Sequence, residues 1–423
     1  MTTNTHPEEG TRKVPKKFNP VPFAYHEEIE VEVETLTNLG DGLGRVGNWV
    51  IMVPFALPGE RVVGRIWHNA ANFSRADLVR VLRPSSERIS PRCPLFGHCG
   101  GCQYQNLAYN AQLAWKTRTV AELLKRLAGA DAPVNPCFPS PQEFHYRSKI
   151  TPHFQALRHD KATTDFPIGF LATNQREKIV DIPACPIATK AINEALPGIR
   201  AKTRANKTSY KRGATILIRE TAEGIVTDPR RIVTERLTTP EGTSLELKFP
   251  AGDFFQNNPY ILPAFTHYAL SQARNGGSSF LLDAYCGSGL FALAGARYFK
   301  HVTGIEVNAE AVRTASLNAQ ANNITNCDFI AGSAERIFEA MDTPAHETTV
   351  LMDPPRRGSD SVFLQQLIAR APNRVVYVSC SPDTQMRDLK ILLSAGYFIA
   401  DIQPFDLFPQ TRHIENILTL QRK

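Results

Sequence analysis

Between residues 27 and 83 apolar and polar positions alternate with period two. EIEVEVETL (28–36) sets acids against Ile, Val and Leu, as a strand with one wet face does. NLGDGLGRVGNWVIMVP follows, with glycines at 40, 42, 44 and 47 ahead of an apolar run. LPGERVVGRIW adds a Pro58-Gly59 turn and another strand, and RADLVRVLRP a further one that Pro84 ends. Four or five short strands with glycine turns predict a small barrel of the OB type.

The period then changes. Residues 106–128 place apolar side chains at helical spacing and run into Gly129, which predicts an amphipathic helix. Residues 140–260 read as short strands and loops. From 279 onward FLLDAYCGSG, HVTGIEV, CDFIAGSA, TTVLMDPP and RVVYVSCSP are short apolar strands separated by helical stretches. That alternation predicts α/β architecture with a mainly parallel sheet. No internal repeat is visible. Residues 1–22, with four prolines and Lys13, Lys16 and Lys17, read as a disordered tail. The expected divisions are 1–22, 23–86 (barrel), 87–260 (central α+β region) and 261–423.

A chain of 423 residues has room for two to four domains. With 42% hydrophobic and 21% charged residues, wholesale disorder is excluded. No run approaches the ~18 apolar residues of a membrane span, and the N-terminus lacks the apolar core of a signal peptide. The expected location is cytoplasmic, with no membrane partner and a monomeric state. Residues 1–260 carry 34 Lys and Arg against 26 Asp and Glu, residues 261–423 carry 14 against 15. A basic region beside a near-neutral one suits a polyanion-binding module joined to a catalytic one, though ordinary surface scatter gives the same count. The stretch 61–92 has seven Arg and two acids. RAKTRANKTSYKR (200–212) has six basic residues and no acid, and reads as a phosphate-contacting or simply solvated loop.

Four places in the last third carry candidate chemistry. Strand FLLD ends at Asp283 and enters AYCGSG, where Gly287 and Gly289 let backbone approach a ligand. Glu306 ends the next strand, placed to accept hydrogen bonds from ribose hydroxyls. D-x-x-x-G-x-G with a later acid fits S-adenosylmethionine better than a dinucleotide. Asp353 in LMDPPRRG ends a strand at the sheet edge where ligands sit. It is followed by neither the aromatic expected of amine methylation nor a cysteine. Cys380 in YVSCSPDT ends another strand, where an ionised thiol would attack an electron-poor carbon. Glu415 in TRHIENIL is either a capping acid or, beside such a thiol, a general base.

Eight cysteines in a long chain point to metal or catalysis rather than disulfides. Cys93-x5-Cys99-x2-Cys102 with a remote Cys185 suits a four-thiolate site. The three-plus-one spacing favours [4Fe–4S] over zinc. Cys137, Cys286 and Cys327 read as packing residues.

With these features together, the sequence resembles the RNA uracil-C5 methyltransferases, which make 5-methyluridine in tRNA or large-subunit rRNA. NLGDGLGRV…VPFALPGERV is similar to the TRAM domain, an OB-like RNA-binding barrel. RCPLFGHCGGCQYQ and DIPACPI resemble the family's cluster segment and its fourth ligand. AGDFFQNNP, DAYCGSG, IEVN, MDPPRRG, VSCSP and HIEN follow in family order. The resemblance implies a Rossmann-like S-adenosylmethionine methyltransferase domain over 261–423. It implies cofactor contacts from Gln256, Tyr285, Glu306 and Asp353, Cys380 as nucleophile, Glu415 as base, and Cys93, Cys99, Cys102 and Cys185 as cluster ligands. Leu290 departs from the asparagine several members carry after G-x-G. The implied partner is RNA, with 23S rRNA favoured and tRNA the alternative. An RNA-binding protein with an inactive methyltransferase domain is the competing class.

Overall fold

In the computed structural model, which describes residues 14–155, 166–210, 212–239, 242, 244–332 and 343–422, the alternating segment forms five strands. They are β1 (Glu28–Leu36), β2 (Asp41–Val46), β3 (Trp49–Pro54), β4 (Arg61–Asn69) and β5 (Phe73–Arg83). They close in the order β1-β2-β3-β5-β4, so no edge is left for another chain to pair with. Val31, Val33, Ile51, Val53, Val62 and Ile66 fill the interior. Gly44 is needed where β1 and β2 cross, because a Cβ there would overlap the Glu32 carbonyl and a Val31 methyl.

The acids that alternate along β1 meet the arginines of the other strands. Arg61 pairs with Glu30 and Glu32, Arg83 with Glu32, and Arg80 with Glu28. Arg75 lies 3.8 Å from Asp41 and Arg88 2.5 Å from Glu60. The arginine-rich stretch 61–92 is therefore largely neutralised within the barrel. Exposed pairs of this kind add little stability, but they remove free positive charge.

The chain divides into two compact units, one reaching Ser90 together with Asn106–Ala108, the other formed by Pro91–Gln105 and Tyr109 onward. The second contains the expected helix, α1 (Tyr109–Leu123). A π-helical turn, Leu124–Ala128, continues it until Gly129 takes a left-handed conformation. Short strands follow: β6 (Lys149–Ile150), β7 (His153–Phe154), β8 (Gly169–Ala172) and β9 (Gln175–Asp181). After α2 (Lys190–Ala205) come β10 (Ala214–Thr215), β11 (Ile218–Thr221) and β12 (Gly224–Val226). These strands make two small sheets, ordered β10-β7-β8-β9 and β12-β11-β6. A ribbon of β13 (Ile232–Thr238) and β14 (Ser244–Pro250) follows.

One expectation fails here. Residues 200–205 are not loop but the last turns of α2. Pro197 and Gly198 in mid-helix mask it in the sequence, since an interior proline costs ~3 kcal/mol. Tertiary contacts offset that cost. Ile192 and Leu196 are buried, and Arg200 donates to the Ile168 and Ile182 carbonyls and to Asp181 at 2.6 Å. Arg200 is thus a structural cation, not a free phosphate contact. Lys211, in the same stretch, lies outside the described residues.

The last part is a seven-stranded sheet. Its strands are β15 (Phe280–Ala284), β16 (His301–Glu306), β17 (Cys327–Ala331), β18 (Thr348–Met352), β19 (Arg374–Ser379), β20 (Tyr397–Phe405) and β21 (Glu415–Arg422). The order is β17-β16-β15-β18-β19-β21-β20. The first five are parallel, and β21 runs antiparallel between β19 and β20. Every residue of β18 and β19 is buried, as continuous apolar runs covered on both faces require. Helices α3 (Leu262–Arg274), α4 (Leu290–Gly295) and α5 (Ala309–Ala321) contribute to one apolar layer. Helices α6 (Ser361–Arg370) and α7 (Pro382–Ser394), with the end of α1, contribute to the other. The chain is thus multidomain, with a β-barrel and a Rossmann-like α/β domain. The strand order reverses beside β15, where the carboxyl ends of β15, β16 and β18 open a crevice for a ligand. Among the described residues no helix is long and apolar enough to cross a membrane.

Candidate active site

The turn after β15 is shaped by backbone that ordinary residues avoid. Tyr285, Gly287 and Gly289 all have positive φ, at 66°, 53° and 95°. The turn is strapped to β16, with Cys286 N–H donating to the Ile305 carbonyl and Gly287 N–H to Glu306 Oε2 at 3.2 Å. Asp283 is fully buried, and one of its oxygens accepts from Ala292 N–H at 2.8 Å. Burial holds its carboxyl far above the ordinary range, and Asp353 and Glu306 push it further. Leu290, the departure from the usual asparagine, starts α4 and packs on the apolar core. The Tyr285 ring packs on Phe363 at 5.4 Å, and burial pushes its hydroxyl up to about 12.

Among the described residues, the buried acceptors Gln256 Oε1, Asn257 Oδ1 and Asp283 Oδ1 have no protein partner. Unpaired buried polar atoms are costly and mark places where a ligand supplies the missing partner. Three carboxylates, Asp283, Glu306 and Asp353, end neighbouring strands. Acid-rich surroundings fit a ligand with amine and hydroxyl groups, as S-adenosylmethionine is.

The thiol and the acid are brought together by strand register. Ser379, the last residue of β19, pairs with Asn416 of β21, which brings Cys380, just past β19, near Glu415, the first residue of β21. Gln385 of α7 locks this register. It donates to the Tyr377 and Asn416 carbonyls and accepts from Asn416 Nδ2 at 2.7 Å. Asp353 follows β18, whose Met352 pairs with Tyr377, and so reaches the same edge. Burial pushes the Cys380 thiol up to about 11, helped by the nearby carboxyls of Glu415 and Asp353, while Arg356 pulls it down as a charge and a hydrogen-bond partner. Burial also raises Glu415 well above the carboxylate range and Asp353 to about 7. The free site thus stores protons on both groups.

Sequence reasoning missed Arg356 and His413. For Arg356 the available signal is its place three residues after Asp353. The loop carrying it turns tightly at Gly358, φ 78°. A Cβ there would sit 2.6 Å from Arg387 Nη2 and 2.7 Å from Asp388 Oδ2. Arg387 and Thr384 of α7 donate to the Arg357 and Arg356 carbonyls, which fixes the loop over the helix. Arg356 then lies 3.0 Å from His413 Nδ1. Burial and the neighbouring cations push His413 down to about 3, so it is neutral and its Nδ1 accepts from the guanidinium.

The four clustered thiols converge. Cys99, Cys102 and Cys185 are each raised chiefly by burial and further by others of the set, Cys102 up to about 12. The Gly101 N–H points at the Cys99 sulfur, and those of Ala188 and Ile187 at the Cys185 sulfur. Gln105 binds the Cys93 backbone and the Cys102 sulfur. Among the described residues, no group of three or more His, Cys, Asp or Glu side chains stands in a metal-holding arrangement. The thiols are neighbours rather than a closed ligand set. Backbone N–H groups are aimed at two of the four sulfurs, those of Cys99 and Cys185.

Residues 213–423 match the tRNA (Uracil-5-)-methyltransferase family, and residues 26–79 match the TRAM domain. A tRNA (uracil(54)-C(5))-methyltransferase of Schizosaccharomyces pombe is 42% identical, over 95% of this chain and 80% of its own. The Saccharomyces cerevisiae protein of that name is 33% identical, over 95% and 75%. The crystal structure of Pyrococcus abyssi tRNA (uracil-54, C5)-methyltransferase with S-adenosyl-L-homocysteine shares the fold, with TM-score 0.69. It is 24% identical, and the match covers 93% of this chain and all of that one. On this similarity the chain belongs to the tRNA (uracil-5-)-methyltransferase family, enzymes that methylate uracil C5 in RNA with S-adenosylmethionine.

Proposed function

We propose that this enzyme methylates a uridine of tRNA, the position the named relatives call uracil 54. The 23S rRNA substrate expected from the barrel and the cysteines gives way to tRNA, because both fungal relatives named above carry tRNA names. The observation that carries the chemistry is the pairing of β19 with β21, which ends where Cys380 and Glu415 come near one another.

Gln256, Tyr285, Glu306 and Asp353 hold the cofactor at the sheet edge. When bound, S-adenosylmethionine supplies the methyl group and a positive charge there. Cys380, ionised with help from Arg356, attacks C6 of the uracil. The C5=C6 electrons move toward O4, and C5 gains the nucleophilicity it needs for methylation. Glu415 takes the C5 proton as a carboxylate, after its stored proton has passed to solvent. The electron pair restores C5=C6 and expels the Cys380 thiolate. C5 is out of reach in a stacked helix, so the nucleotide is flipped out. The barrel, taken as 23–86, contributes RNA binding, as does the region 87–260. Cys93, Cys99, Cys102 and Cys185 hold a [4Fe–4S] cluster with a structural role, since no step here is a redox step. Iron and sulfide in anaerobically purified protein support this, and zinc in fully active protein refutes it.

The test is a trap. Fluorine at C5 cannot leave as a proton does, so RNA containing 5-fluorouridine should stay bonded to the protein. Incubation with S-adenosylmethionine and either tRNA or rRNA transcripts should give an adduct at Cys380 with tRNA alone, lost when uridine 54 is replaced by cytidine. An adduct with rRNA only overturns the substrate; no adduct with either overturns the nucleophile.

A further inference from the structure

The segment Asp406–Arg412 leads from β20 to His413 and Glu415. Its start is anchored by α1, where Lys116 Nζ donates to Asp406 Oδ1 at 2.5 Å and to the Phe408 carbonyl. Its middle turns at Gln410, a non-glycine residue with φ 68°. Such a conformation persists only where its surroundings impose it. Here the Gln410 carbonyl accepts from the Gln103 and Tyr104 N–H groups, at 3.1 and 3.0 Å. Gln112 grips the same residue from α1, accepting from its N–H and donating to its side-chain oxygen.

Gln103 makes a second contact further along. Its Oε1 accepts from the Arg412 N–H at 3.2 Å, while its Nε2 donates to the Gly100 carbonyl at 3.0 Å. Gly100 lies inside the turn between Cys99 and Cys102. One side-chain amide therefore joins the thiol-bearing loop to the backbone three residues before Glu415. The two roles are fixed by chemistry, because a backbone N–H only donates and a carbonyl only accepts. Arg412 stands at the approach to β21, and the start of that strand sets how the Glu415 carboxyl lies against Cys380.

We propose that Gln103 is a positioning residue for the proton-abstraction step, holding Glu415 in place through Arg412 with the thiol loop as its fixed base. This rests on Glu415 being the base. Gln103 is partly exposed, so its replacement leaves the core intact.

The experiment compares Gln103→Met, Gln103→Glu and Glu415→Gln in the full-length protein with S-adenosylmethionine and a tRNA transcript. Methionine keeps the length and loses both bonds; glutamate keeps an acceptor for Arg412. Methyl transfer in a single turnover, the fraction of protein bonded to RNA on a denaturing gel, and KM for S-adenosylmethionine are measured. Gln103→Met should slow release by about three- to tenfold, as the loss of one ordinary hydrogen bond does. Methylated adduct should accumulate, with methyl transfer and KM unchanged. Gln103→Glu should recover most of the release rate. Wild-type release by Gln103→Met, or an equal slowing of every step without adduct, overturns the proposal. If Glu415→Gln accumulates adduct while Gln103→Met does not, only the role of Gln103 fails. If Glu415→Gln itself releases RNA normally, the base assignment fails and this inference with it.

Discussion

Replacing Arg356 by glutamine removes a nearby cation that opposes the burial of Cys380. With the thiol pushed up to about 11, Cys380 is mostly protonated at neutral pH in the free enzyme. Arg356 favours the thiolate by charge and by hydrogen bond, so its loss raises the thiol further. The guanidinium is exposed, and solvent screens it. The low end of the usual range for a nearby charge therefore applies, about one unit, or about a tenfold smaller thiolate fraction. The assay is the single-turnover rate of adduct formation on 5-fluorouridine tRNA across neutral to alkaline pH. Arg356→Gln should run about tenfold slower below the thiol's titration and need about one pH unit more to reach a given rate. Arg356→Lys keeps the charge and should lose less. An Arg356→Gln enzyme with the pH dependence of the parent would refute the argument.

Two other substitutions test the buried charges. Glu415 binds its proton more tightly folded than unfolded. Its contribution to stability is fully present below the ordinary value of 4.5 and is lost as pH rises through the raised folded value. Glu415→Gln cannot lose that proton, so its Tm should exceed the parent's by an amount that grows with pH. A difference constant from acid to alkaline pH contradicts this. Lys116→Met leaves Asp406 buried without its ion partner and should cost about 3–5 kcal/mol in urea unfolding. Adding Asp406→Leu should restore part of the loss, and an additive double mutant would show that the two groups do not act as a pair.

Much of the architecture is written in local pattern. Alternation along 28–83 specifies strands because one face must be dry. The apolar runs from 279 onward specify strands covered on both sides. The cofactor turn is legible for the same reason: a strand end, glycines and a following acid lie within a few dozen residues of one another. What lies far apart in sequence was not legible as geometry. The arginines of 61–92 look like a free basic patch until β1 delivers its acids to them. Helix α2 was hidden by Pro197, and tertiary contacts of Arg200 and the buried Ile192 and Leu196 help to hold it.

The candidate site divides along the same line. Cys380, Asp353 and Glu415 each stand out in the sequence as polar residues at strand ends, since a strand's apolar run stops where the sheet edge meets a ligand. The sequence by itself determined which side chains are available. Only the tertiary structure decided that Cys380 and Glu415, 35 positions apart in the chain, come near one another, because the antiparallel register of β19 and β21 ends beside them. It also decided their protonation, since burial, Arg356 and the neighbouring carboxyls act through space and leave no periodic trace in the chain.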